Sequence, residues 1–310
     1  MNETAQRLLS KSKNSRLERF GKTITLLCLV IIVLVVALIL LFVAQRGLST
    51  FFVDGQNPLK FLFGTNWSPG EKDSNGQPYL GALPMITGSF LVTLLSALLA
   101  TPFAIGVALF MTEISNNRIA KLMQSAIELL VGIPSVVYGF IGLTVIVPAV
   151  RTVFGGSGFG ILSGMFVLFV MILPTVTSMT LDSLKAVPRH YKEASLALGA
   201  TRWQTIHRVI LKAALPGILT AIVFGMARAF GEALAIQMVV GNAALMPTSL
   251  ITPASTLTSV LTMGIGNTVM GTVSNNALWT LALILLLMSL FFNILMKWIT
   301  KPRGKKNYAR

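Results

Sequence analysis

The chain has 310 residues, of which 54% are apolar and only 11% charged, and its mean hydropathy is +0.77. A soluble domain carries about 25% charged residues, so this composition excludes one and requires an integral membrane protein. The formal charge of +15 does not indicate nucleic acid as a partner, because the basic residues lie between apolar runs rather than on one soluble face.

Taken in chain order, residues 1–22 form a basic tail with Arg7, Lys11, Lys13, Arg16, Arg19 and Lys22. An uncharged run follows over 23–45. At about 1.5 Å per residue it reaches ~34 Å, enough to cross a bilayer. Arg46 closes it in place of a small-residue cleavage site, so a retained anchor is expected rather than a signal peptide. Cys28, the one cysteine, sits in this run, and a single thiol supports neither a disulfide nor a cysteine-based metal site. Residues 46–84 are expected as an outer segment whose aromatics, Phe51, Phe52, Phe61, Phe63 and Trp67, suit the membrane interface.

Five further spans are expected near 85–112, 126–150, 157–180, 214–240 and 277–299. All should be helical, because hydrocarbon offers the backbone no other partners. The fold class is therefore all-α and polytopic, with six transmembrane helices. Pro102, Pro134 and Pro174 fall inside these spans, and Gly155-Gly156-Ser157-Gly158 marks a tight turn between the third and fourth. Residues 241–276 hold no charge but many Ser, Thr and Gly. Such a segment either packs across the outer surface or dips partly back into the protein-lined interior, and the second is favoured. The remainder, 301–310, is a second basic tail. Twenty Lys and Arg residues fall in the two tails, with Lys297 counted beside the second, and in the loops around 118–121 and 181–213, against four on the other side. The positive-inside rule then places both termini and the 181–213 loop in the cytoplasm.

No Gly-rich phosphate loop ending in Gly-Lys-Ser/Thr occurs, nor a Ser–His–Asp set or paired carboxylates. His190 and His207 share a polar loop without a carboxylate cluster, so no metal site is expected. The chain is expected to be non-catalytic, with any driving nucleotide bound by another polypeptide. Arg228 and Glu232 lie in the fifth expected span, four residues apart and so on one helical face. An arginine at mid-helix costs about 2.5–3.5 kcal/mol and must face a partner or water. Either the two neutralise each other, or Arg228 is a cationic station for an oxyanion with Glu232 holding it between passages. Glu128 opens the third expected span, where a carboxylate suits the helix dipole. Between the fourth and fifth spans, Glu193-Ala194-Ser195, then Gly199, then a second amphipathic turn toward Leu215-Pro216 give a helix–glycine–helix pattern. Spacing leaves two readings open: a docking knob for a partner, or a hairpin lying on lipid headgroups.

That pattern resembles the EAA loop of permease subunits of binding-protein-dependent ABC importers, with Ser195 in place of a usual alanine. The resemblance covers about residues 85–300 and implies that Glu193, Ala194, Ser195 and Gly199 dock a separate ATPase. Phe61 to Pro69, Gly81 to Pro84, Gly132 to Gly139 and Ala227 to Glu232 are similar to the first, larger permease of the phosphate-specific importer. This implies inorganic phosphate as cargo, with Arg228 and Glu232 on its path. It also implies a second permease as heterodimer partner, two ATP-binding subunits and an extracytoplasmic phosphate-binding protein, in a bacterial plasma membrane. No cofactor is implied on this chain, since ATP would sit on the partner. Another oxyanion, sulfate or molybdate, is the alternative cargo. A stand-alone channel or a non-transporting scaffold is the alternative class.

Overall fold

The computed structural model describes residues 13–73 and 76–300, so residues 1–12 of the first basic tail and all of the second, 301–310, lie outside the described residues. Among the described residues six helices are long and apolar enough to cross a membrane. The first is α1, Lys13–Phe52. A short helix α2, Pro58–Phe63, and a two-stranded antiparallel hairpin, β1 (Trp67–Lys72) with β2 (Pro78–Leu80), lead to α3, Leu83–Leu109. A π turn at Phe110–Ile114 extends α3. Then come α4 (Asn117–Gly132), α5 (Ser135–Ile141), a π turn over Gly142–Ile146 and α6 (Val147–Phe154). Next are α7 (Ile161–Lys185), α8 (Arg189–Ala197) and α9 (Arg202–Thr205). A π turn over Ile206–Ile210 joins α9 to α10 (Leu211–Phe230), which α11 (Leu234–Val239), α12 (Leu257–Gly264) and α13 (Val273–Thr300) follow.

The bundle is organised around α3 and α7. Ser96, Ala100, Ala104 and Ala108 recur every four residues along α3, all fully buried. Residues this small let backbones approach closely where dispersion, not water exclusion, holds helices together. Val92 of α3 meets Leu168, Met171 and Ile172 of α7 and Ile236 and Val239 of α11 in one core. A second core joins Phe61, Leu80 and Met85 to Leu257 of α12 and Leu281 of α13. A third joins Met111 to Leu181, Ile210, Ala214 and Ile218.

The structure departs from the sequence expectation in instructive places. The third span is not 126–150, because Ile133 is extended before Pro134 and ends α4. The spanning helix instead begins at Ser135, and α4 is amphipathic with none of its residues buried. Glu128 therefore stands near the C-terminal end of α4, accepting from Gln124 Nε2 at 3.0 Å, and opens no helix. The fourth span starts late, at Ile161, because Gly155, Gly156 and Gly158 take left-handed φ values in the turn before it. The fifth runs over Arg202–Phe230 rather than 214–240, with Pro216 inside it, so the second helix of the hairpin does not end at Leu215-Pro216. The outer aromatics divide, with Phe52 and Phe63 exposed and Phe61 turned inward. Phe61 is buried with edge-on contacts to Phe51 and Trp67. Residues 254–259 are buried, and Ser255 O would clash with a side chain at Gly88 of α3, so this middle part of the uncharged segment packs into the protein interior, while Leu245, Val269 and Met270 on either side of it are exposed.

Candidate functional site

Sequence reasoning marked two places, and the structure sets them at opposite ends of one helix. Thr205 and Arg228 bracket the fifth span and lie about 35 Å apart at 1.5 Å per residue.

At the first place, α8 ends in Gly199 with φ +80°, a left-handed conformation that closes a helix without Cβ strain. Thr201 restarts the chain with a complete capping box, its hydroxyl accepting from Gln204 N and Gln204 Oε1 accepting from Thr201 N. Ser195 and Thr205 hydroxyls are 3.0 Å apart and tie the two helices together. This is the physical use of the serine that stands where the family pattern has alanine. Lys192 forms an ion pair with Glu113, anchoring α8 to the end of the second spanning helix. Glu193, Ala194 and Gly199 are exposed. Leu198 at 89% and Trp203 at 68% exposure give the knob an apolar surface left uncovered by the described residues.

At the second place, Arg228 lies in the last turn of α10, where the helix dipole favours a cation. It is half-buried, and its Nη1 donates to Thr175 Oγ1 at 2.6 Å. Thr175 follows Pro174 in α7 and is buried. Tyr138 of α5 lies within electrostatic reach of Arg228. The helix stops at Phe230, so Arg228 and Glu232 do not share a helical face, contrary to the sequence expectation. Glu232 Oε1 accepts from Ala235 N at 3.1 Å, and its carbonyl accepts from Thr258 Oγ1 at 2.8 Å. Among the described residues Arg228 forms no ion pair with a carboxylate; Thr175, not Glu232, holds it. Irregular backbone at such a break is tolerated in a membrane only where protein or a cavity surrounds it.

Thr175, Thr205, Thr258 and the Glu113–Lys192 pair were not singled out by sequence reasoning. Thr201-x-x-Gln204 was a readable capping signal, and Thr175 a polar residue within an apolar run. Glu113 and Lys192 are 79 residues apart, and no local pattern links them. Among the described residues no cluster of three or more metal-ligating side chains occurs.

A family model for binding-protein-dependent transport system inner membrane components matches residues 100–303. The chain is 48% identical over 301 residues to a probable ABC transporter permease protein, YqgH, of Bacillus subtilis (strain 168), with 96% of each chain covered. It is 31% identical over 255 residues to the phosphate transport system permease protein PstC of Xylella fastidiosa (strain 9a5c), covering 74% of this chain and 77% of that one. In fold it is similar to a chain of a bacterial alginate ABC transporter solved in complex with an alginate-pentasaccharide-bound periplasmic protein. That similarity has a TM-score of 0.61 at 16% identity, over 94% of this chain and 99% of the other.

Proposed function

Because the chain belongs to the family of binding-protein-dependent transport system inner membrane components and has the type I ABC-importer permease fold, we propose that it is the permease subunit that passes inorganic phosphate into the cytoplasm. The observation that carries this reading is Arg228. A guanidinium set in the bundle interior, held by one neutral hydroxyl and by no carboxylate among the described residues, is free to receive an oxyanion. Its planar fork can bind two oxygens at once and stays protonated throughout. Glu232, its carboxylate turned to the Ala235 amide, sets the far edge of the same break and repels an anion that lingers. The PstC likeness supports phosphate among the oxyanions.

The exposed knob at Glu193, Ala194, Ser195 and Gly199 is, in this reading, the docking element for a separate ATP-binding subunit. Two such subunits, a second permease and an extracytoplasmic phosphate-binding protein complete the machine in a bacterial plasma membrane, with both termini cytoplasmic. ATP is bound by the partner, and this chain moves as a rigid body when the ATPases close. Arg228→Gln should abolish phosphate uptake in cells while the assembled complex still purifies; normal uptake by that variant overturns the pathway role. The relative from Bacillus subtilis carries no cargo in its name, which keeps a second reading, sulfate or molybdate, in play. Unlabelled sulfate and molybdate competing away labelled phosphate uptake would favour it.

A further inference from the structure

At the end of the molecule that carries the knob, a cavity of about 590 Å³ opens between α4, the ends of α3 and α7, and α8. Lys121, Lys185, Arg189 and Lys192 line it, with Gln124 and a single carboxylate, Glu113. Glu113 is already paired with Lys192. Lys121, Lys185 and Arg189 have no carboxylate partner among the described residues. A sphere of that volume is about 10 Å across, comparable to the ~8 Å Debye length of physiological salt, so the cations on its wall feel one another. Orientation of the chain in the membrane needs only the number of basic residues on one side. It does not require them to converge on one concavity contributed by three different elements.

We propose that this cavity is an anion site that takes a phosphate group, supplied either by free phosphate or by the headgroup of an anionic phospholipid. Arg189 offers two parallel donors to two oxygens, and Lys121 and Lys185 supply point charges from the other walls. A bound phosphate group would link α8, which bears the knob, to α4 and α7, and would compete with Glu113 for Lys192. The inference rests on the proposed cytoplasmic placement of this end, and not on the cargo or on Arg228.

The test uses the full chain in nanodiscs, with Arg228→Gln in every sample so that the transport path contributes nothing. In phosphatidylcholine discs, equilibrium dialysis with labelled inorganic phosphate should show binding that falls about 100-fold in Lys121→Gln/Lys185→Gln, about tenfold for each lost charge-assisted contact. Each lysine is exposed, and the single variants, expected to lose about tenfold each, guard against a folding defect in the double one. In discs containing phosphatidylglycerol, displacement of phosphate by the lipid, dependent on the same lysines, assigns the site to headgroups and keeps the proposal. Phosphate and phosphatidylglycerol association both unchanged in a double variant of native helix content overturns it. Because the readout is binding with Arg228 already removed, this result is separate from the uptake assay that tests the cargo path.

Discussion

The turn at Gly199 and the break at Gly231 are both helix interruptions at a glycine, yet different physics produces them. At Gly199 the backbone is left-handed, and Thr201 and Gln204, two and five residues further on, cap the restart. Local chemistry suffices, so the hairpin can stand in solvent and present Leu198 and Trp203 to something else. At Gly231 φ is −82°, a value any residue adopts, and the one local side-chain contact at the start of α11 is the Glu232 carboxylate accepting from Ala235 N. The rest of its hold comes from outside. Thr258 grips the Glu232 carbonyl, and Ser89 of α3 accepts from Leu257 N at 2.9 Å to fix α12 beneath it. An interruption encoded locally can serve as a handle, whereas one encoded by distant contacts exists only inside the folded bundle.

Four substitutions test this contrast, taken from the strongest effect to the weakest. Thr175→Val removes the only hydroxyl bound to Arg228 among the described residues, and a hydrogen bond to a charged group is worth about 2 kcal/mol, so phosphate uptake should drop about 30-fold. Unchanged initial rates in whole cells would show that Arg228 is positioned by something else. Gly199→Val forces a β-branched residue into left-handed backbone at a cost of about 1–2 kcal/mol, and recovery of the ATP-binding subunit on affinity purification should fall about tenfold. Its phosphate path is untouched, so binding of phosphate to the isolated chain should persist. Ser195→Ala deletes one hydroxyl pair between α8 and α9, worth roughly 0.5–1.5 kcal/mol, and should weaken the same co-purification about threefold. Ser195→Thr, which keeps the hydroxyl, should restore it. Gly231→Ala should change uptake by less than about twofold, since the nearest atom to an added Cβ is Arg228 O at 3.7 Å and the backbone is already right-handed. A severe loss there would mean the break depends on glycine after all, and would erase the distinction between the two sites.

The same distinction explains what could be read in the chain beforehand. Apolar runs announced six crossings, and Glu193 to Gly199 announced the hairpin, because each signal sits within a few residues of the structure it specifies. The kink at Pro134 was also local, yet the apolar content on both sides of it suggested one span where the chain makes a surface helix and a shorter crossing. Arg228 was visible as a charge in an apolar run. Its partner was not, because Thr175 lies 53 residues earlier and is one of several hydroxyls on α7. Glu232 sat at helical spacing from Arg228, but the helix ends at Phe230, and Glu232 is held instead by Ala235 N at its carboxylate and by Thr258 at its carbonyl.

The first helix carries a consequence for how the polypeptide is made. Most of α1 is exposed along both sides, and its docking is confined to its last turns against α13. There Thr280 Oγ1 bonds Gly47 O and Thr50 Oγ1, each at 2.7 Å, and Phe42 meets Trp279 edge-on. Gly47 admits Leu283, whose Cβ would lie 2.9 Å from any side chain placed there. Gly47 and Thr280 are 233 residues apart, so the ribosome releases the opening segment into lipid long before its docking surface has been synthesised. It must wait there alone, and an uncharged exterior all round is what lets it do so. The bundle is thus fastened last by the joining of its earliest and latest segments.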